Sequence, residues 1–246
     1  MKTKHAFILA LLITLLIFFN LQFIKSVNKS DRKVVFVSRV IDGDTLELEN
    51  GQTIRLLNIN TPEKNENGYE EAKDFLKSIE NKTIEIEETG TDKYDRTLAR
   101  IFNPAYLNLE LVKKGLGKKF LVQDSELKNF ANAEKQAVEN ELGLWKKSQY
   151  FSCFTSNIDE KIEIVHLKNS CKKINMLGWY LADESRKKYI FENIYLGEVN
   201  VHSSSGKDNE TDLFWSQTQN VWNNERDTLY LYDSEDKIVN YNSYGY

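Results

Sequence analysis

Three short segments of this 246-residue chain bring carboxylates and arginines into patterns that could act together. Ile41-Asp42-Gly43-Asp44-Thr45 sets two carboxylates around a glycine. Ile54-Arg55-Leu56-Leu57-Asn58-Ile59-Asn60-Thr61-Pro62-Glu63 carries a guanidinium in an apolar strand and ends on a Pro-Glu. Thr91-Asp92-Lys93-Tyr94-Asp95-Arg96 is a polar loop feeding a strand. Alone, the first and third read as a hairpin turn and a solvated loop. Arg55 is different, because a charge among apolar neighbours is costly unless it is paired or belongs to a site. Taken together, the segments supply what phosphodiester hydrolysis requires. A hard cation takes oxygen ligands, available from Asp44, Asn60, Glu63 and the Thr61 carbonyl. Two guanidiniums, Arg55 and Arg96, can bind the oxygens that gather charge. A carboxylate beside the cation can orient and deprotonate a water.

These residues need a scaffold that converges them. Strands are predicted over residues 34–40, 45–49 and 53–59, joined at Asp42-Gly43 and Asn50-Gly51, both hairpin dipeptides. Tyr69, Ala72, Phe75, Leu76 and Ile79 recur at helical spacing. Further strands follow over 82–88 and 97–102, then a helix from Leu107 that stops at Gly115 and a longer one over 124–142. This pattern predicts a mainly β fold with some α: a five-stranded OB-type barrel with helices over residues 32–147. Beyond a linker at 148–160 the texture changes to short alternating strands. That predicts an all-β, immunoglobulin-like sandwich over 161–246, with Trp179, Trp215 and Trp222 as core anchors. His166 and His202 fall on strands, where a hydrogen-bonded or solvated role is expected.

The net charge of −4 excludes a global basic field, so any contact with nucleic acid must be local. Lys2, Lys4 and His5 precede an apolar run over 6–19, which predicts a signal peptide or N-terminal membrane anchor within residues 1–27. Either reading makes the remainder extracellular, secreted or tethered to the membrane. Cys153 and Cys171 are an even pair, permissive for a disulfide in an exported chain. Their spacing, without paired histidines nearby, is a poor zinc ligand set.

The three segments, in this order, resemble the staphylococcal nuclease (thermonuclease) family, over about residues 34–145. Gly115-Leu116 and Gly143-Leu144-Trp145 are similar to later landmarks of that family. The resemblance implies a Ca2+-dependent phosphodiesterase acting on DNA and RNA and leaving 3′-phosphate products. It implies Asp44 as a calcium ligand, Glu63 as general base, Arg55 and Arg96 as catalytic arginines, and Asp42 as a supporting carboxylate behind the ligands. Lys93 and Tyr94 would contact a substrate phosphate. Three departures stand out. Asn60 replaces a frequent Asp, so weaker calcium binding is expected. Asp95 replaces a Gly and would pair with Arg96 or repel phosphate. Leu121 and Gln123 fall where the family has two tyrosines, leaving base stacking without its usual platform unless Phe120 supplies it. Leu177-Gly178-Trp179, Leu213-Phe214-Trp215, Val221-Trp222-Asn223-Asn224 and 227–233 resemble the lamin-tail domain, a binding module of varied ligands. A rival expectation is a non-catalytic module, binding nucleic acid or protein at the cell surface.

Overall fold

A computed structural model of the protein describes residues 32–246. Strands β1 (Lys33–Val40), β2 (Thr45–Leu48) and β3 (Thr53–Leu56) form a meander. Then come β4 (Ile59–Asn60), helix α1 (Tyr69–Lys77), β5 (Thr83–Thr91), β6 (Thr97–Asn103) and β7 (Ala105–Tyr106). Helix α2 (Leu107–Lys113), β8 (Lys118–Lys119) and α3 (Leu127–Glu139) complete this half. The sheet order is β3-β2-β1-β5-β6-β7, and β3 also pairs in parallel with β6. That extra pairing closes β1, β2, β3, β5 and β6 into a five-stranded barrel of the OB type. Closure removes sheet edges and encloses Val37, Leu46, Ile54, Leu56, Ile86 and Ile101, capped by Leu76 and Phe130 from α1 and α3.

The third strand is shorter than the sequence predicts. It ends at Leu56 because Asn58 adopts φ 69°, the left-handed region that Asn tolerates. The Asn58 side chain then accepts from Gln123 N and donates to Glu126, fixing the segment before α3. The chain leaves the barrel wall and pairs as β4 with β8. Residues 60–63 are thereby delivered to the rim. The long helix starts later than expected, at Leu127, behind a single 3-10 turn at Asp124–Glu126.

The second half contains β9 (Phe154–Asp159), β10 (Ile164–Asn169), β11 (Ile174–Asn175), β12 (Tyr180–Ala182), β13 (Lys188–Ile190), β14 (Tyr195–Leu196), β15 (Glu198–His202), β16 (Asp212–Phe214), β17 (Asp227–Tyr232) and β18 (Ile238–Tyr244). Two four-stranded sheets, β16-β15-β10-β9 and β13-β12-β17-β18, share one core. Val165, Leu167, Val199 and Val201 of the first meet Leu181, Leu229 and Leu231 of the second, with all three tryptophans between them. The stretch expected as a linker is partly strand: β9 pairs with β10, and Phe154 is buried. A disulfide joins Cys153, just before β9, to Cys171, just after β10. His166 and His202 bond to Asn200 and Asp212.

The two halves belong to one compact unit, Val34–Tyr246. Strand β17 is buried on both faces. Its leucines enter the sandwich core, whereas Tyr230 and Tyr232 pack with Ala137, Val138 and Trp145. Lys118 Nζ lies 4.3 Å from the centroid of Tyr230 and 4.8 Å from that of Tyr232, and burial pushes this ammonium down to about 8. Deeper still, fully buried Lys119 donates to Glu134 of α3 and to Thr228 of β17, and lies 3.3 Å from Glu184. Tyr230 and Tyr241 also donate to Glu134, each at 3.2 Å. A buried carboxylate with this many donors is held, and one stripped of its cation is not. Lys119→Met is therefore expected to cost about 3–5 kcal/mol in urea unfolding, and adding Glu134→Leu to recover part of that loss. A double variant less stable than Lys119→Met would contradict this account of the pair.

Candidate active site

The rim is built from the β1–β2 turn outward. Gly43 is required there, since a Cβ would lie 2.7 Å from both Ala72 Cβ and Thr61 Oγ1. The turn is braced by Asp42 Oδ1, which accepts from Asp44 N at 2.9 Å. Asp44 is consequently pressed against Thr61, in the segment that follows β4. Its Oδ2 accepts from Thr61 N at 2.9 Å and Thr61 Oγ1 at 3.1 Å. Its Oδ1 faces Arg55 Nε at 3.1 Å and accepts from Thr45 Oγ1 at 3.1 Å.

Arg55 is only 7% exposed, so its donors must be matched inside the protein. Besides Asp44, it donates to the carbonyls of Leu56 and Ile59 and to Asn60 Oδ1. Burial pulls this guanidinium below its ordinary value; Asp44 opposes that, while the charges of Arg96 and Arg186 add to it. Arg96 reaches the same place from the residue just before β6. Its Nη1 lies 3.5 Å from Thr45 Oγ1, the hydroxyl that donates to Asp44. Asp44, Arg55 and Arg96 thus share one rim.

The partner of Arg96 is Asp92, not Asp95. Asp92 Oδ2 accepts from Arg96 Nε at 2.8 Å and lies 2.7 Å from Nη2. Asp92 Oδ1 also accepts from the backbone N–H groups of Tyr94 and Arg96, which shapes the loop. Asp95 is exposed with φ 62°. The left-handed backbone that a Gly would accept is here taken by an exposed Asp. Lys93 and Tyr94 are exposed beside Arg96, whose guanidinium carbon lies 5.5 Å from the Tyr94 ring centroid. Leu121 is 62% exposed, and Gln123 is engaged with Arg100.

Two expected ligands are diverted. The Asn60 amide has a protein partner on each side: Oδ1 accepts from Arg55, and Nδ2 donates to the Glu184 carbonyl at 3.0 Å. Glu63 is turned outward and pairs with Arg186 at 2.6 Å. The same Arg186 Nη1 donates to the Thr61 carbonyl at 2.9 Å. Arg186 comes from the β12–β13 turn of the sandwich. Its distance in sequence and its plain setting, a charged turn, gave no signal.

The donor chemistry at this rim suits a hard cation in two respects. Carboxylate and carbonyl oxygens dominate, and the guanidinium of Arg186 already stands in as a positive charge at Thr61 and Glu63. Burial, then the neighbouring Asp44 charge, raises the Asp42 carboxyl above its ordinary value. Among the described residues no group of three or more His, Cys, Asp or Glu side chains gathers at one point. The fitting ligands are therefore Asp44, the Thr61 carbonyl and, once parted from Arg186, Glu63.

A closed OB-type barrel carrying this rim defines the class. The family model described as staphylococcal nuclease homologue matches residues 53–147, spanning Arg55, Asn60 to Glu63, Lys93, Tyr94 and Arg96. An uncharacterized protein of Methanocaldococcus jannaschii is 38% identical over 148 residues, covering 46% of this chain and 71% of that protein. An uncharacterized endonuclease of Haemophilus influenzae is 33% identical over 141 residues, covering 55% of this chain and 77% of that protein. One from Escherichia coli is 35% identical over 77 residues, covering 30% of this chain and 50% of that protein. The chain belongs to the staphylococcal nuclease homologue family.

The raised carboxyl at Asp42 fixes a sign. A carboxyl that binds its proton more tightly in the folded state lowers stability as pH climbs past its unfolded value, about 4. Asp42→Asn keeps an acceptor for Asp44 N and removes the charge. In chelator, urea unfolding is expected to show the variant gaining on the wild type between pH 4 and pH 8. A gap that stays constant or narrows over that range would contradict the charge argument.

Proposed function

We propose that the protein is an exported, calcium-dependent nuclease that hydrolyses phosphodiester bonds of DNA and RNA and leaves 3′-phosphate ends. One observation carries this reading: Arg55 directly, and Arg96 through Thr45, converge on Asp44, within a domain of the staphylococcal nuclease homologue family. The endonuclease names of two relatives agree with it. Arg55 and Arg96 hold the non-bridging oxygens of the scissile phosphate, with Arg96 nearer the leaving oxygen. Lys93 and Tyr94, exposed beside Arg96, contact a neighbouring phosphate. Glu63, freed from Arg186, takes a proton from the attacking water. Asp44 and the Thr61 carbonyl would hold a calcium ion, which when bound would add positive charge beside the phosphate and lower the pKa of a water. Asp42 supports Asp44 from behind through its backbone N–H.

Export rests on the charged and apolar pattern within residues 1–27, which lie outside the described residues. The Cys153–Cys171 disulfide is in keeping with an oxidising compartment. Among the described residues no helix is long and apolar enough to cross a membrane. In this reading residues 32–147 are the nuclease domain, and 161–246 a lamin-tail-like module. The rival reading, a non-catalytic surface module, draws support from the Arg186–Glu63 pair, which engages the proposed base.

Both readings meet in one assay: plasmid and single-stranded DNA incubated with the protein in calcium or in chelator. Cleavage only in calcium is expected, and Glu63→Gln is expected to lower kcat by about 10²–10⁴. Intact DNA under every condition would favour the binding module, and an unchanged kcat would remove Glu63 from the chemistry.

A further inference from the structure

We infer that Arg186 is the resident cation of the rim and that calcium enters only by displacing it; this rests on the calcium reading above. One guanidinium nitrogen, Arg186 Nη1, reaches both the Thr61 carbonyl and the Glu63 carboxylate. A divalent cation bound to those same oxygens would face a full positive charge at contact distance. The two occupants exclude each other by geometry and by Coulomb repulsion.

The turn that presents Arg186 is anchored at several points. Asp183 Oδ1 accepts from Lys187 N at 2.7 Å, and its Oδ2 accepts from Ser185 Oγ at 2.6 Å. Asn60 Nδ2 ties the Glu184 carbonyl to the rim. Arg186 itself has φ 72°, a conformation unfavourable for a side chain of its kind and imposed by the turn. The grip is nonetheless releasable, because the Arg186 and Glu63 side chains are 31% and 61% exposed. A cleft of about 240 Å³ adjoins Arg186, lined in part by Asn65, Glu66, Tyr180 and Asp236. It offers the displaced guanidinium room beside the carboxylates of Glu66 and Asp236, which at present face Lys188 and the Tyr180 hydroxyl. Arg186 is thus a positioning residue: it holds Glu63 outward until calcium takes the shared oxygens.

The test is calorimetric titration of calcium chloride, without nucleic acid, into the wild-type chain, Arg186→Gln and Arg186→Gly. Removing a like charge from beside a cation site is expected to tighten calcium binding by about tenfold or more in both variants. The glycine variant also relieves the backbone, so its Tm is expected to match or exceed that of the wild type. Affinity that is unchanged or weaker in both variants, or no calcium binding by any of the three proteins, would overturn the proposal. The cleavage assay fails separately: tighter calcium binding in both variants, with DNA left intact, would sink the nuclease reading and leave the displacement standing.

Discussion

A guanidinium buried in a barrel wall must be answered on every side, and the architecture of the rim follows from that requirement. Arg55 consumes one oxygen of Asp44, two backbone carbonyls and the amide oxygen of Asn60. To bring those acceptors together the chain must break β3 at Leu56, turn through Asn58 and return as β4. Asp44 must be driven inward by a turn that tolerates only glycine at its centre. Once these conditions are met, Asp44 and Thr61 are in contact, and Arg96 needs only the parallel β3–β6 pairing to arrive beside them. The geometry of the rim and the closure of the barrel are one arrangement.

The sandwich is joined to that arrangement rather than appended to it. Tyr230 and Tyr232 turn one face of β17 into a second apolar surface, and it packs with α3 and Trp145. Lys119, Glu134, Thr228 and Glu184 fill the polar part of the same boundary. The strand β8 that carries Lys119 also pairs with β4, which carries Asn60. A short path therefore links the buried ion pair to the rim. The β12–β13 turn, fixed by this packing, delivers Glu184 and Arg186 to residues 60–63.

Much of the barrel was legible because its determinants are local. Hairpin dipeptides, alternating strands and an arginine stranded among apolar residues all point to a rim where Asp44, Arg55 and Arg96 meet. The break at Asn58 escaped a reading by alternation, since the apolar pattern runs on through Ile59 while the backbone does not. Glu134 sat on the apolar side of a predicted helix, but nothing nearby in sequence revealed that its partner is Lys119. Alternation alone did not show that β17 is dry on both faces, with Tyr230 and Tyr232 on the second. Arg186 could not be found at all, because its role exists only through a tertiary contact 123 residues away from Glu63. Asn60 was read as a ligand from its amide oxygen; its partners in the fold, Arg55 and the Glu184 carbonyl, come from β3 and from the sandwich.

The central claim is that Arg55 and Arg96 close on one phosphate above Asp44. A crystal structure with a short non-cleavable phosphorothioate oligonucleotide and calcium tests it directly. The account predicts a single phosphate within hydrogen-bond reach of both guanidiniums, with Arg186 withdrawn from Thr61. An oligonucleotide seated elsewhere, with Arg55 still sealed behind Asp44 and Asn60 and touching no phosphate, would contradict it.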